Sequence, residues 1–123
     1  MDNEFKVLEN LIYATIQRHK VLVSNIANTD TPDYRAKDID FRSLFDDERL
    51  RLVTTDGQHI RPEAGGGPGP IEVREVEGGP WGDRNDVELD TELAKMTENG
   101  LLNQVAMRLL SKEMGMYRNA MKR

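Results

Sequence analysis

Residues 24–41 read SNIANTDTPDYRAKDIDF. Their reading decides the fold, because they mark where a long amphipathic segment stops and turns. Asn25 and Asn28 are three apart and share a helix face. Ala27 between them is small and permits close backbone approach. Asn28 tolerates the left-handed conformation that ends helices. Pro32 cannot continue a helix, and it pushes Thr31 toward extended backbone. Thr31-Pro32-Asp33-Tyr34 then reads as a turn with Pro at its second position. Tyr34 returns an aromatic ring to the helix just left. The stretch is a helix terminator and a chain reversal. Arg35 to Phe41 then run on, extended, with alternating charge.

Upstream, Phe5, Leu8, Ile12, Thr15, His19, Leu22 and Ile26 follow an alternating three-four spacing, the seam of a coiled coil. Leu11, Ile16, Val23 and Ala27 widen the apolar face. No Gly or Pro interrupts residues 2–28, so the spacing predicts one long helix there. Polar Thr15 and His19 sit mid-seam, where they cost stability but can set register.

Downstream, a second helix is predicted from near Asn85, with Asn85 as cap and Glu88 closing a capping box. Leu89, Leu93, Met96, Gly100, Asn103, Met107, Leu110, Met114, Tyr117 and Met121 repeat the three-four spacing. Leu102, Val105, Leu109 and Met116 form a second stripe. One partner helix covers one stripe, so the second asks for another neighbour. The methionines add an adaptable apolar surface.

Between the helices the composition changes. GGGPGP at 65–70 and GGPWG at 78–82 punctuate rather than build. Residues 50–54 and 71–76 alternate apolar and polar, which predicts two short strands of a small hairpin. The expected class is mainly α: two long terminal helices in an antiparallel, coiled-coil-like pair, with a short irregular or β-like middle module. The expected units are 1–35, the first helix and its turn; 36–84, the Gly/Pro-rich centre; and 85–123, the second helix.

Composition excludes several functions. The 123 residues are 37 % hydrophobic and 6 % aromatic, thin for a self-sufficient core. The net charge is −5, from 17 basic and 22 acidic side chains, and the acidic excess lies in the centre. The nearly balanced ends do not suit a nucleic-acid backbone, which needs clustered Lys and Arg. There is no Cys, so disulfides and thiolate metal sites are excluded. No apolar run spans a bilayer, and MDNEFKVLEN lacks the pattern of a secretory signal peptide. A route that reads no cleaved signal is therefore expected if the chain leaves the cytoplasm.

No catalytic, cofactor or metal site is expected. His19 and His59 stand in unrelated contexts. Asp83 to Glu88 lacks the Gly and the oxygen ligand of a calcium loop. Asp38, Asp40, Asp46, Asp47 and Glu48 read as a solvated acidic face. GGGPGP has no following Lys-Ser/Thr, so it is not a phosphate loop. Trp81 reads as a local packing anchor.

The motif N-I-A-N-x-x-T-P-x-Y-R after an amphipathic helix resembles the signature of bacterial flagellar rod and hook proteins. VELDTELAKMTENGLLNQVAMRLLSKEMGMYRNAMKR resembles the matching C-terminal helix of that family, and YRAKDIDF with the short middle is most like its proximal-rod member. The family commonly has Gly where this chain has Asp33. Gly permits a type II turn with positive φ, whereas Asp33 favours type I or takes a strained φ.

The resemblance implies a structural subunit of the proximal rod in the flagellar basal body, not an enzyme and without a cofactor. It would sit in the periplasmic rod, in a tube that transmits torque and encloses the export channel. Implied partners are further copies of the chain, other rod proteins, the adaptor between membrane ring and rod, and the flagellar type III export apparatus. Neither nucleic acid nor membrane insertion is implied. The expected assembly interface comprises Leu8, Ile12, Leu22, Asn25, Ile26, Asn28, Thr31, Pro32 and Tyr34. On the second helix it comprises Leu93, Met96, Leu102, Met107, Leu110 and Met114. The alternative reading is a cytoplasmic helical adaptor or export chaperone.

Overall fold

The first helix, α1, runs Asp2–Ala27 and stops where the Asn-Thr-Asp-Pro tract predicts. A computed structural model describes residues 2–41, 71–76 and 87–122. After α1 come strand β1, Lys37–Ile39, strand β2, Val73–Glu75, and helix α2, Leu89–Ala120. At 1.5 Å per residue, the 26 and 32 residues of the helices span about 40 Å and about 50 Å. Neither helix is long and apolar enough to cross a membrane.

The start of α2 differs from the predicted capping box. Glu88, with extended backbone, is the N-cap, and its carbonyl accepts the first helical bond from the Glu92 N–H. Its carboxylate accepts a bond from the Thr91 hydroxyl. Asn85 lies outside the described residues, as do residues 50–54, Trp81 and His59.

The segment 71–76 pairs with 37–39, while residues 50–54, the hairpin partner the alternation predicted, lie outside the described residues. The ladder is antiparallel, with Lys37 opposite Glu75, Asp38 opposite Arg74, and Ile39 opposite Val73. Bonds from the Val76 N–H to the Ala36 carbonyl and from the Asp40 N–H to the Glu72 carbonyl extend it at both ends. A two-stranded ribbon is marginal in water by itself. Here Ala36 and Ile39 are buried, and β1 lies against α1, which supplies the support a bare ribbon lacks.

The helices pack against each other along their length. Thr15 meets Asn99 and Asn103, while Asn25 meets Glu92. Numbers rise on α1 as they fall on α2, so the pair is antiparallel, as expected. The interior is thin: among the described residues the buried apolar ones are Ala14, Leu22, Ala36, Ile39 and Ala106. Small Ala14 and Ala106 permit close helix approach but bury little surface.

Candidate functional site

The seam between the helices is polar. Thr15, Asn25, Glu92 and Asn99 are as buried as the five apolar core residues. The three-four period of the sequence is right, but the register on α2 is one residue off. Glu92, Asn99 and Ala106 face α1 at seven-residue spacing, and Leu93, Gly100, Met107 and Met114 lie one position further round. On α1 the buried face is turned toward Ala14, Leu22 and Asn25, and His19 is exposed.

Asn25 is the hub. Its amide nitrogen donates to the Lys37 carbonyl at 2.7 Å and to the Glu92 carboxylate at 2.8 Å. Its oxygen accepts from the Lys37 N–H at 3.1 Å and the Tyr34 hydroxyl at 3.3 Å. Two donors and two lone pairs are thus all used. One side chain ties α1 to the turn, to β1 and to α2. The other Glu92 oxygen accepts from Lys95 at 2.9 Å, so the buried carboxylate is paired on both sides.

A second polar node sits ten residues along α1. The Thr15 hydroxyl donates to the Ile12 carbonyl and accepts from the Asn103 amide at 2.7 Å. The Thr15 carbonyl accepts from the Asn99 amide at 2.8 Å. The Asn99 oxygen is buried without a hydrogen-bond partner, a cost this seam carries.

The quoted turn is built as its residues require. The Asn28 amide donates to the Ser24 carbonyl, and its oxygen accepts from the Thr31 hydroxyl, so Asn28 caps the helix it ends. Tyr34 folds back to α1, where its hydroxyl lies 3.3 Å from that of Ser24. The Tyr34 N–H closes the turn on the Thr31 carbonyl at 3.4 Å. Asp33 has φ 59°, the positive value a type II turn needs at this position. The non-Gly side chain is accommodated in the left-handed region rather than forcing a type I turn.

Arg18 and Asp38 form a clamp the sequence did not disclose. The guanidinium donates to both carboxylate oxygens, at 2.8 and 3.0 Å, and lies 5.3 Å from the Phe41 ring centre. Burial opposes ionisation of Asp38 most strongly. The Arg18 hydrogen bonds, the Ile39 N–H and the charges of Arg18 and Lys95 outweigh it and hold the carboxyl below its ordinary range. The hydrogen bond to Asp38 raises Arg18 against its own desolvation. Asp38 is therefore a half-buried anchor of β1, not part of a solvated acidic face. Asp40 pairs with Arg74 across the ribbon.

The remaining expected interface residues divide by exposure. Leu22 and Asn25 are buried within the chain, and Leu8, Ile12, Ile26, Asn28, Tyr34, Met96, Leu102 and Leu110 are half-buried. Thr31, Pro32, Leu93, Met107 and Met114 are exposed. Leu101, Val105, Leu109 and Met116 also face outward, as do Tyr13, Ile16 and Val23 on α1. Among the described residues, no three His, Cys, Asp or Glu side chains gather where they could hold a metal ion.

A slender antiparallel helix pair with a polar seam, apolar outer faces and a small ribbon at one end has the build of a structural subunit. No family model matches the chain. The chain is similar to curated proteins named flagellar basal body rod protein FlgB. That of Escherichia coli is 32 % identical over 120 residues, covering 90 % of this chain and 87 % of the relative. That of Salmonella typhimurium is 29 % identical over 123 residues, covering 93 % and 89 %. That of Bacillus subtilis is 44 % identical over 55 residues, covering 43 % of each. The chain belongs to the FlgB family of flagellar basal body rod proteins and is a structural subunit of that rod.

Proposed function

We propose that this subunit stands in the proximal rod and assembles through the outer faces of its two helices into a tube that transmits torque and encloses the export channel. Its neighbours there are further copies, other rod proteins and the adaptor between membrane ring and rod. It reaches the periplasmic rod through the flagellar type III export apparatus. Its work is mechanical rather than enzymatic. Units 1–35, 36–84 and 85–123 serve as the first helix with its turn, the Gly/Pro-rich centre and the second helix.

The observation that carries this reading is the inversion of the helix pair. Polar side chains hold the seam, while Leu93, Leu101, Val105, Met107, Leu109 and Met114 stay open to solvent. Apolar stripes of this extent ask for protein neighbours. Asn25, Glu92, Thr15 and Asn99 then set the shape of the subunit, and the exposed stripes make the contacts between subunits.

The test replaces Met107 and Met114 together by Glu. Neither side chain belongs to the buried core, so the free subunit should keep its helicity. Basal bodies from cells carrying the variant should lack it, and swimming should stop. Normal motility with the variant present in purified basal bodies would discard the outer faces as contacts. Recovery of the unaltered chain only in the cytoplasmic fraction would favour an adaptor or chaperone instead.

A further inference from the structure

Asn99 and Gly100 form the one Asn–Gly pair in the chain; every other asparagine precedes a residue that carries a Cβ. Asn–Gly is the asparagine context most open to self-attack, because no Cβ hinders the glycine nitrogen from reaching the asparagine side chain. In this fold the pair sits in the interior of α2. Asn99 is 2 % exposed and its amide nitrogen donates to the Thr15 carbonyl at 2.8 Å, whereas Gly100 faces solvent. The fold does not need the glycine. A Cβ built there meets no atom within 4 Å, and glycine weakens a helix interior relative to Ala.

We propose that Asn99–Gly100 is a self-modifying site that the helix pair holds shut, and that an open chain converts there to aspartate and isoaspartate. The deprotonated Gly100 nitrogen attacks Cγ of Asn99. The N–Cγ bond forms, the Cγ–Nδ2 bond breaks, and Nδ2 takes up a proton and leaves as ammonia. Water then opens the succinimide ring. Cleavage of the N–Cγ bond gives aspartate; cleavage between the residue 99 carbonyl carbon and the Gly100 nitrogen gives isoaspartate. One water is consumed and one ammonia released.

Two features hold the site shut. Helical backbone, with ψ near about −42°, commits the Gly100 N–H to the helix ladder and keeps its nitrogen off the Asn99 side chain. The bond to Thr15 fixes that side chain against α1. The products do not fit the same place. The Asn99 oxygen already lacks a partner, and aspartate replaces the donor facing the Thr15 carbonyl with a second acceptor in a buried seam. Isoaspartate lengthens the main chain by one methylene and interrupts α2. Time spent open is thus recorded in chains that no longer close this seam.

The test holds the full chain at mildly alkaline pH in buffer and in urea, and peptide mapping by mass spectrometry reads conversion at each asparagine. In urea, Asn99 should convert about tenfold or more faster than any other asparagine. In buffer its conversion should be slower by about tenfold or more, because it follows the open fraction. Gly100→Ala should keep or raise the thermal midpoint and slow conversion in urea about tenfold. Asn99→Asp should lose helix content or melt earlier, while Asn119→Asp, the same change at an exposed site, should stay near the parent. Equal rates in buffer and urea, no preference for Asn99 in urea, unslowed conversion in Gly100→Ala, or an Asn99→Asp chain as stable as Asn119→Asp overturns the proposal.

Discussion

The seam between α1 and α2 and the faces turned away from it invert the usual arrangement. Inside, Asn25 and Asn99 are almost fully enclosed; outside, Leu101 is 59 % exposed and Met114 56 %. A soluble helix pair built for independence puts its leucines in the seam. Here hydrogen bonds specify much of the seam and demand one register, and Leu89, Leu93, Leu101 and Leu109 are left on the outside of α2. On the proposed assembly, this subunit's shape and its cohesion come from separate sets of residues. Directional bonds hold the first, and non-directional apolar burial serves the second.

That separation can be broken in measurable steps. The largest effect is expected at the hub. Asn25→Leu leaves the Lys37 backbone groups unpaired and removes one partner of the buried Glu92 carboxylate. Urea unfolding should show a loss of about 3–5 kcal/mol. A change of only a few tenths would mean that the seam is wet and its bonds replaceable by water.

Next comes Leu22→Ala, which empties the one large apolar side chain fully buried on α1. It should cost about 2–5 kcal/mol. Leu101→Ala on the outer face should stay within about 0.5 kcal/mol for the free chain. Equal losses at the two positions would erase the contrast between seam and face.

A smaller and opposite effect is expected when both sides of the second node become apolar. Thr15→Val with Asn99→Leu and Asn103→Leu removes the unpaired Asn99 oxygen together with its neighbours' bonds. Stability should be unchanged or higher by about 1 kcal/mol or more. Pairs of spin labels on the helices should at the same time report more than one register. A single sharp distance would show that the Asn25 hub suffices alone.

Acid offers a further probe. The Asp38 carboxyl is held below its ordinary range in the fold, so its contribution is complete above the unfolded value near pH 3.9. It is lost as pH falls through the lower folded value. Asp38→Asn should flatten the dependence of the unfolding midpoint as pH falls below about 4. A curve unchanged in shape would remove the Arg18 clamp from the account of how β1 is held.

The smallest effect belongs to the turn. Asp33→Gly relieves a left-handed residue and should raise stability by about 0.5–1 kcal/mol, whereas Asp33→Val should lower it.

The sequence by itself determined the two helices, the stop after Ala27, the chain reversal at Pro32 and the return of Tyr34 to α1. These follow from periodicity, from the ring of proline and from the cap preferences of Asn and Thr, all local properties of a few neighbouring residues. It also disclosed that two stripes on α2 exceed what one partner covers. Tertiary structure decided which stripe faces inward. A ranking by hydrophobicity selects Leu93, Met107 and Met114, yet Glu92 and Asn99 take those inward places because Asn25, Lys95 and the Thr15 carbonyl wait there with matching groups. Those partners lie up to 84 residues away, and no local pattern announces them. The same reason hid the Arg18–Asp38 clamp and the pairing of β2 with β1. A hydrogen bond gains its value from the geometry of both ends, and only the folded chain brings both ends together.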